Sequence, residues 1–222
     1  MKVSLVIPTM NEAGAIGKVL AEVPKRITNE IIVIDGHSTD NTAAEAKKHL
    51  RKRQDKFILQ KRRGFGNALL EAFNRASGDV IVIMDGDGSQ NPKDIPAFLK
   101  KIKQGYSYVM GTRYGGGGRS DDDTIIRLMG NRMFTLLTNL IHRTKVSDSL
   151  YLFIAIKRVE LAELKLSSPG IEICVEIPIK AHLAGLKFTE IPVIERARYA
   201  GESKVNAFWS GLRILKMILS KY

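Results

Sequence analysis

The sequence predicts an α/β fold: a mostly parallel central sheet with helices on both faces. Three observations carry that expectation. Short apolar runs alternate with helix-period segments along the first half of the 222-residue chain. The composition, 44% hydrophobic and 26% charged, supplies a sizeable core. Chemistry-bearing residues recur just past the apolar runs, where parallel sheets bind their ligands.

Residues 3–7 read as a buried strand, and residues 11–23 as a helix with Ile16, Val19, Leu20 and Val23 on one face. A strand at 31–34 precedes a helix at 39–50, with Ser38 or Thr39 as its N-cap. A short strand at 57–59, a helix at 67–76 and a strong apolar strand at 80–84 follow, then a helix at 92–103 and a strand at 108–111. The rhythm then breaks at 114–123, where four consecutive glycines and three consecutive aspartates predict a mobile loop. An unusually apolar helix spans 124–142, and a strand covers 150–156. A helix at 172–184 is kinked or delayed by Pro178, a strand covers 188–194 and a last helix 205–219. No linker divides the chain, so residues 1–204 form the main domain and 205–222 an amphipathic helix that joins it or faces a membrane.

Charge and cysteine content narrow the function classes. Lys and Arg exceed Asp and Glu by 35 to 23, a net +12 that favours polyanions: nucleic acid, an anionic membrane or phosphorylated substrates. A nucleic-acid module is disfavoured, because no basic stripe is interleaved with aromatics, which are only 7% of residues. The single Cys174 cannot form an internal disulfide, which suits a reducing cytoplasmic setting. No apolar run is long enough to span a bilayer.

The sharpest chemical signal is Asp85-Gly86-Asp87-Gly88-Ser89-Gln90 after the 80–84 strand. Two carboxylates at i and i+2, with glycines permitting a tight turn, suit Mg²⁺ or Mn²⁺ bridging to substrate phosphates. The rival is a solvated turn, but an EF-hand fails because Gln90 and Pro96 stand where Gly and Glu are needed. After the second strand, Asp35 could accept hydrogen bonds from a base or ribose, whereas Ser38, Thr39 and Asp40 read as turn and cap residues. The basic stretch Lys61-Arg62-Arg63-Gly64-Phe65-Gly66-Asn67 precedes a helix start that can receive phosphate.

In order, Val6-Ile7-Pro8-Thr9-Met10-Asn11-Glu12, Asp35 to Asp40, Arg63-Gly64-Phe65-Gly66-Asn67-Ala68 and Asp85-Gly86-Asp87 resemble the motifs of glycosyltransferase family 2 with its GT-A nucleotide-sugar fold. Gly111-Thr112-Arg113-Tyr114 and Arg198-Tyr199-Ala200-Gly201-Glu202-Ser203-Lys204 resemble the dolichyl-phosphate mannose synthase branch. The resemblance implies that Pro8, Thr9, Glu12 and Asp35 contact the nucleotide, with Gly64 and Gly86 also on the donor side. It implies that Asp85 and Asp87 hold the metal, with Ser89 or Gln90 as a further ligand. Arg113 and Arg127 would hold the acceptor phosphate and, with Asp87, carry catalysis, while Arg198, Ser203 and Lys204 close over the phosphates. The chain departs from the branch at Asp148-Ser149-Leu150-Tyr151-Leu152-Phe153, where a Pro-Thr-Ser-Gly-Phe-like stretch is usual, and this bears on the sugar pocket.

The implied reaction moves a hexose, with inversion, from a nucleotide sugar to a polyprenyl phosphate. GDP-mannose is the first donor expectation and UDP-glucose the second; a soluble or polysaccharide acceptor is the rival. A phosphate monoester has its second pKa near 6, so the acceptor oxygen is a nucleophile at neutral pH without a general base. A lipid acceptor asks for peripheral contact with the cytoplasmic face of a membrane, or a membrane-anchoring partner. The 124–142 and 205–222 segments either lie on that surface or pack on the core.

Overall fold

The computed structural model describes residues 1–201 and 207–220. A seven-stranded sheet is built from β1 (Val3–Thr9), β2 (Glu30–Asp35), β3 (Lys56–Leu59), β4 (Val80–Ile83), β5 (Tyr108–Thr112), β7 (Ile154–Lys157) and β8 (Phe188–Pro192). Two short strands, β6 (Arg119–Ser120) and β9 (Ile194–Glu195), pair separately. The order across the large sheet is β3-β2-β1-β4-β7-β5-β8, and β7 alone runs against its neighbours. The carboxyl ends of β1, β2 and β4 therefore meet at one edge of the sheet.

Alternation along the strands makes two cores. Leu5 and Ile7 of β1 and Val80 and Val82 of β4 face α1 (Ile16–Glu22) and α4 (Ile95–Lys103). Val6, Ile81 and Ile83 face α3 (Phe65–Arg75) and α7 (Ile173–Leu183). The remaining helices are α2 (Thr42–His49), α5 (Ile125–His142), α6 (Arg158–Glu163) and α8 (Ala207–Ile218). Val175 and Ile179 of α7 join Ile214 and Ile218 of α8 in a third cluster, against which Phe134 and Leu137 of α5 pack.

Several expectations are corrected. The second helix starts at Thr42 rather than 39, because the Ser38 hydroxyl turns back to Asp35 and Asp40 accepts the Thr42 N–H at 3.0 Å. The first starts at Ile16, since Asn11 takes a left-handed φ of 54°. Pro178 lies inside α7. Strand β7 begins only at Ile154, and α6, which follows it, has too short an apolar pattern to be read from sequence. The glycine-rich loop is not wholly irregular, since it contains β6.

Helix α5 has inverted polarity. Thr124 caps it by accepting the Arg127 N–H, and Thr135 and Thr138 are its buried residues. Ile125, Ile126, Met129, Leu136 and Leu140 are instead 67–82% exposed. On α8, Phe208 and Trp209 are exposed as well. Among the described residues, no helix is long and apolar enough to cross a membrane.

Candidate active site

The site starts from β1, β2 and β4. Thr9 pairs in register with Asp35, and Pro8 with Ile34. Thr9 is buried, and its Oγ1 has no hydrogen-bond partner among the described residues. A side chain at Gly86 would approach that oxygen to 3.3 Å, so the glycine keeps the β1 and β4 ends close. Asp35 is fixed by Ser38, whose N–H donates to Oδ2 at 2.9 Å and whose hydroxyl donates to Oδ1. The Glu12 N–H donates to Thr42 Oγ1, which ties the loop after β1 to the start of α2. Gly64 opens α3 at φ 121°, where a Cβ would lie 2.3 Å from the Pro169 carbonyl oxygen.

Just past β4, the Gln90 amide clasps Asp85: its nitrogen donates to Oδ2 and its oxygen accepts the Asp85 N–H, both at 3.0 Å. Ser89 serves Asp87 similarly, donating from N at 2.9 Å and from Oγ at 2.8 Å to Oδ1. Both candidates for the further metal ligand are thus engaged in fixing the two carboxylates. Burial first, and then the neighbouring Asp87, raises the Asp85 carboxyl above the usual carboxylate range, while Arg198 opposes this. Two hard oxygen ligands that repel one another fit a divalent cation shared with substrate phosphates. No group of three His, Cys, Asp or Glu able to hold a metal ion occurs among the described residues.

A strap formed by residues 193–199 crosses this turn. The Arg196 N–H donates to the Ser89 carbonyl at 2.7 Å and the Tyr199 N–H to the Asp87 carbonyl at 2.9 Å. The Tyr199 ring lies over Gly88, its hydroxyl donates to Glu22, and Arg196 also pairs with Glu22 at 3.1 Å. Sequence reasoning missed the Tyr199 and Glu22 latch, because its partners lie more than a hundred residues apart and no local pattern announces them. Arg198 reaches Asp87 Oδ2 at 3.0 Å and Asp122 Oδ2 at 3.4 Å. Asp122 also pairs with Arg127 at 3.3 Å, so ion pairs run from the acidic turn to the first turn of α5. Ser203 and Lys204 lie outside the described residues.

Arg113 is placed differently from the expectation of an acceptor ligand. It is 7% exposed, bidentate to Asp148 at 2.7 and 3.0 Å, and paired with Glu195 at 3.2 Å and Asp123 at 3.8 Å. Burial opposes its charge, but Asp148 and Glu195 outweigh that and hold its pKa above the ordinary value. A phosphate would have to displace these carboxylates. Arg127, by contrast, is 44% exposed.

Comparison with known proteins adds three findings. The Glycosyl transferase family 2 model matches residues 4–161. The dolichol-phosphate mannosyltransferase of Pyrococcus furiosus is 31% identical over 212 residues, 92% of this chain and 59% of that protein. The chain thus spans about three-fifths of that relative's length. The dolichyl-phosphate hexose transferase of Haloferax volcanii is 32% identical over 221 residues, 97% of this chain and 92% of that one. Among solved structures, glucosyl-3-phosphoglycerate synthase from Mycobacterium tuberculosis in complex with Mn²⁺, UDP and glucosyl-3-phosphoglycerate superposes with a TM-score of 0.74 at 21% identity. That match covers 98% of this chain and 78% of the other. A crystal form of the same enzyme with Mg²⁺ and UDP gives a TM-score of 0.75 at 21% identity, covering 98% and 78%.

Proposed function

Because the chain belongs to glycosyl transferase family 2 and has the GT-A fold, we infer that it transfers a hexose from a nucleotide sugar to a polyprenyl phosphate at the cytoplasmic face of a membrane. Mannose from GDP-mannose is the preferred donor reading, as the names of the relatives from Pyrococcus and Haloferax support. The observation that carries the lipid acceptor is the inverted polarity of α5, whose first turn is ion-paired to the acidic turn through Asp122 and Arg198. Contiguous exposed apolar area of this kind marks a docking surface. The basic residues Arg127, Arg132 and Arg143 on and beside that helix suit anionic headgroups.

In this mechanism Asp85 and Asp87 would hold Mg²⁺ or Mn²⁺, which neutralises charge on the departing nucleotide diphosphate. Asp35 and the loop after β1 orient the nucleoside, and Arg198 offers its guanidinium to the diphosphate. Arg127, the more accessible of the two acceptor candidates, meets the lipid phosphate. Gln90 and Ser89 keep both carboxylates aimed, so positioning rather than proton transfer lowers the barrier.

A donor panel of GDP-mannose and UDP-glucose with Mg²⁺ or Mn²⁺ tests the reading, with detergent-dispersed polyprenyl phosphate set against 3-phosphoglycerate. Transfer to the lipid, falling on the order of 10³-fold in Asp87→Ala at unchanged melting temperature, is the expected result. Transfer to the soluble acceptor alone would move this chain to the acceptor class of the mycobacterial synthase. Near-normal turnover of Asp87→Ala would overturn the role of the acidic pair.

A further inference from the structure

The three consecutive aspartates at 121–123 go to three different sets of partners. Asp121 pairs with Arg119 at 3.1 Å, in the open. Asp123 accepts from the Tyr114 hydroxyl and stands 3.8 Å from Arg113. Asp122 Oδ2 takes two guanidinia at once, Arg127 Nη1 at 3.3 Å and Arg198 Nε at 3.4 Å. The backbone that presents it is held firmly. The Ser120 hydroxyl accepts the Asp122 N–H at 3.2 Å and the Asp123 N–H at 3.1 Å, and itself donates to Glu195.

Charges alternate in sign along the path Asp87, Arg198, Asp122, Arg127. Arg198 uses Nη1 for Asp87 at 3.0 Å and Nε for Asp122. Arg127 uses only Nη1 among the described residues, for the Asp122 carboxylate and carbonyl. A guanidinium carries more N–H donors than a carboxylate oxygen can occupy, so one held along one edge still offers another to a phosphate. The side chains of Asp87, Asp122 and Arg198 are 9%, 22% and 24% exposed, against 64% and 47% for Arg119 and Asp121. Solvent and salt therefore screen the shared pairs less than the pair beside them. Two long cationic side chains brought together without such a counter-ion would repel one another and keep their rotamer freedom until substrate arrived.

We propose that Asp122 is a positioning residue that couples the two substrate sides, its one carboxylate holding Arg198 for the donor diphosphate and Arg127 for the acceptor phosphate. The proposal rests on the transfer reading above and adds how its two cations are aligned. Because both guanidinia share one anchor, ordering either of them orders the other through Asp122, and the two substrates assist each other's binding.

The test compares the wild type with Asp122→Asn, Asp122→Glu, Asp121→Asn, Arg127→Met and the double variant Asp122→Asn with Arg127→Met. Calorimetry measures binding of GDP and of UDP with Mn²⁺, and kinetics give KM for detergent-dispersed polyprenyl phosphate. Asp122→Asn keeps the side-chain shape and removes the charge. It should weaken nucleotide binding and raise the acceptor KM, each about 3- to 10-fold, at unchanged melting temperature. Asp122→Glu should restore part of both, and Asp121→Asn should leave both within about twofold. In the double variant the rise in acceptor KM should fall short of the product of the single effects, as for residues that act through one another. A loss confined to one substrate, independent effects in the cycle, or equal losses in Asp121→Asn overturn the proposal while leaving the transfer reading intact. Should Asp122→Asn not fold, Arg127→Met decides alone: it should weaken nucleotide binding about 2- to 3-fold through Asp122, and an unchanged or tighter affinity overturns the coupling. Failure of the wild type to bind either nucleotide, or to use polyprenyl phosphate, removes the transfer reading and the proposal with it.

Discussion

Gly88→Ala is the perturbation whose consequence can be followed furthest. Gly88 sits at φ 87°, and a Cβ there would stand 2.3 Å from Tyr199 Cδ2, inside the ring's own volume. Adopting that backbone angle costs a non-glycine residue about 1–2 kcal/mol. Displacing the ring also loses the hydroxyl bond to the Glu22 carboxylate, worth about 1 kcal/mol at a half-exposed position. The expected destabilisation is about 2–3 kcal/mol. In a Tyr199→Ala background only the backbone cost remains, so the two changes should couple by about 1 kcal/mol. Urea denaturation of the four proteins measures the cycle. Because Arg198 adjoins Tyr199 and pairs with Asp87, nucleotide affinity should fall about tenfold alongside, corresponding to about 1.4 kcal/mol. An identical cost for Gly88→Ala in both backgrounds would refute the latch.

Two further expectations concern stability. Arg113→Met leaves Asp148, fully buried, and Glu195 without their counter-ion, which should cost about 3–5 kcal/mol in chemical denaturation; a loss under about 1 kcal/mol would show the network to be dispensable. Glu30 is lowered from 4.5 to about 2: burial opposes the shift, but hydrogen bonds from Lys56, Ser4 and Ser77 outweigh it. Its contribution of about 3 kcal/mol is therefore complete above about pH 4.5 and is lost as pH falls toward 2. Glu30→Gln should flatten the stability profile across that window, and an unchanged slope would count against the assignment.

What could be read in advance follows from physics of different range. The runs at β1, β2 and β4 were legible because strands buried on both faces must be continuously apolar. The acidic turn stood out because two aspartates spaced by glycine follow an apolar strand, although a solvated turn has the same composition and only the ordered motifs around it favoured a binding role. The direction of β7 was not, since parallel and antiparallel central strands share the same composition. Arg113 was placed with the acceptor by its neighbours in sequence, but its environment is set by Asp148 and Glu195, 35 and 82 residues away. Helix α5 was visible as unusually apolar, yet only the structure shows that its threonines face inward.

The reversal of β7 has a corollary for substitutions beside it. The polypeptide enters that strand from the ligand-binding edge, so residues 148–153 form a lead-in anchored by Asp148 on Arg113 and by the contact of Ser149 with Thr135. Only Ile154–Lys157 is zipped between β4 and β5. The lead-in also buries Tyr151 and Phe153 in one core and Leu152 in the other, so substitutions there act on packing and on the Arg113 ion pairs while the strand register is held by Ile154–Lys157 alone.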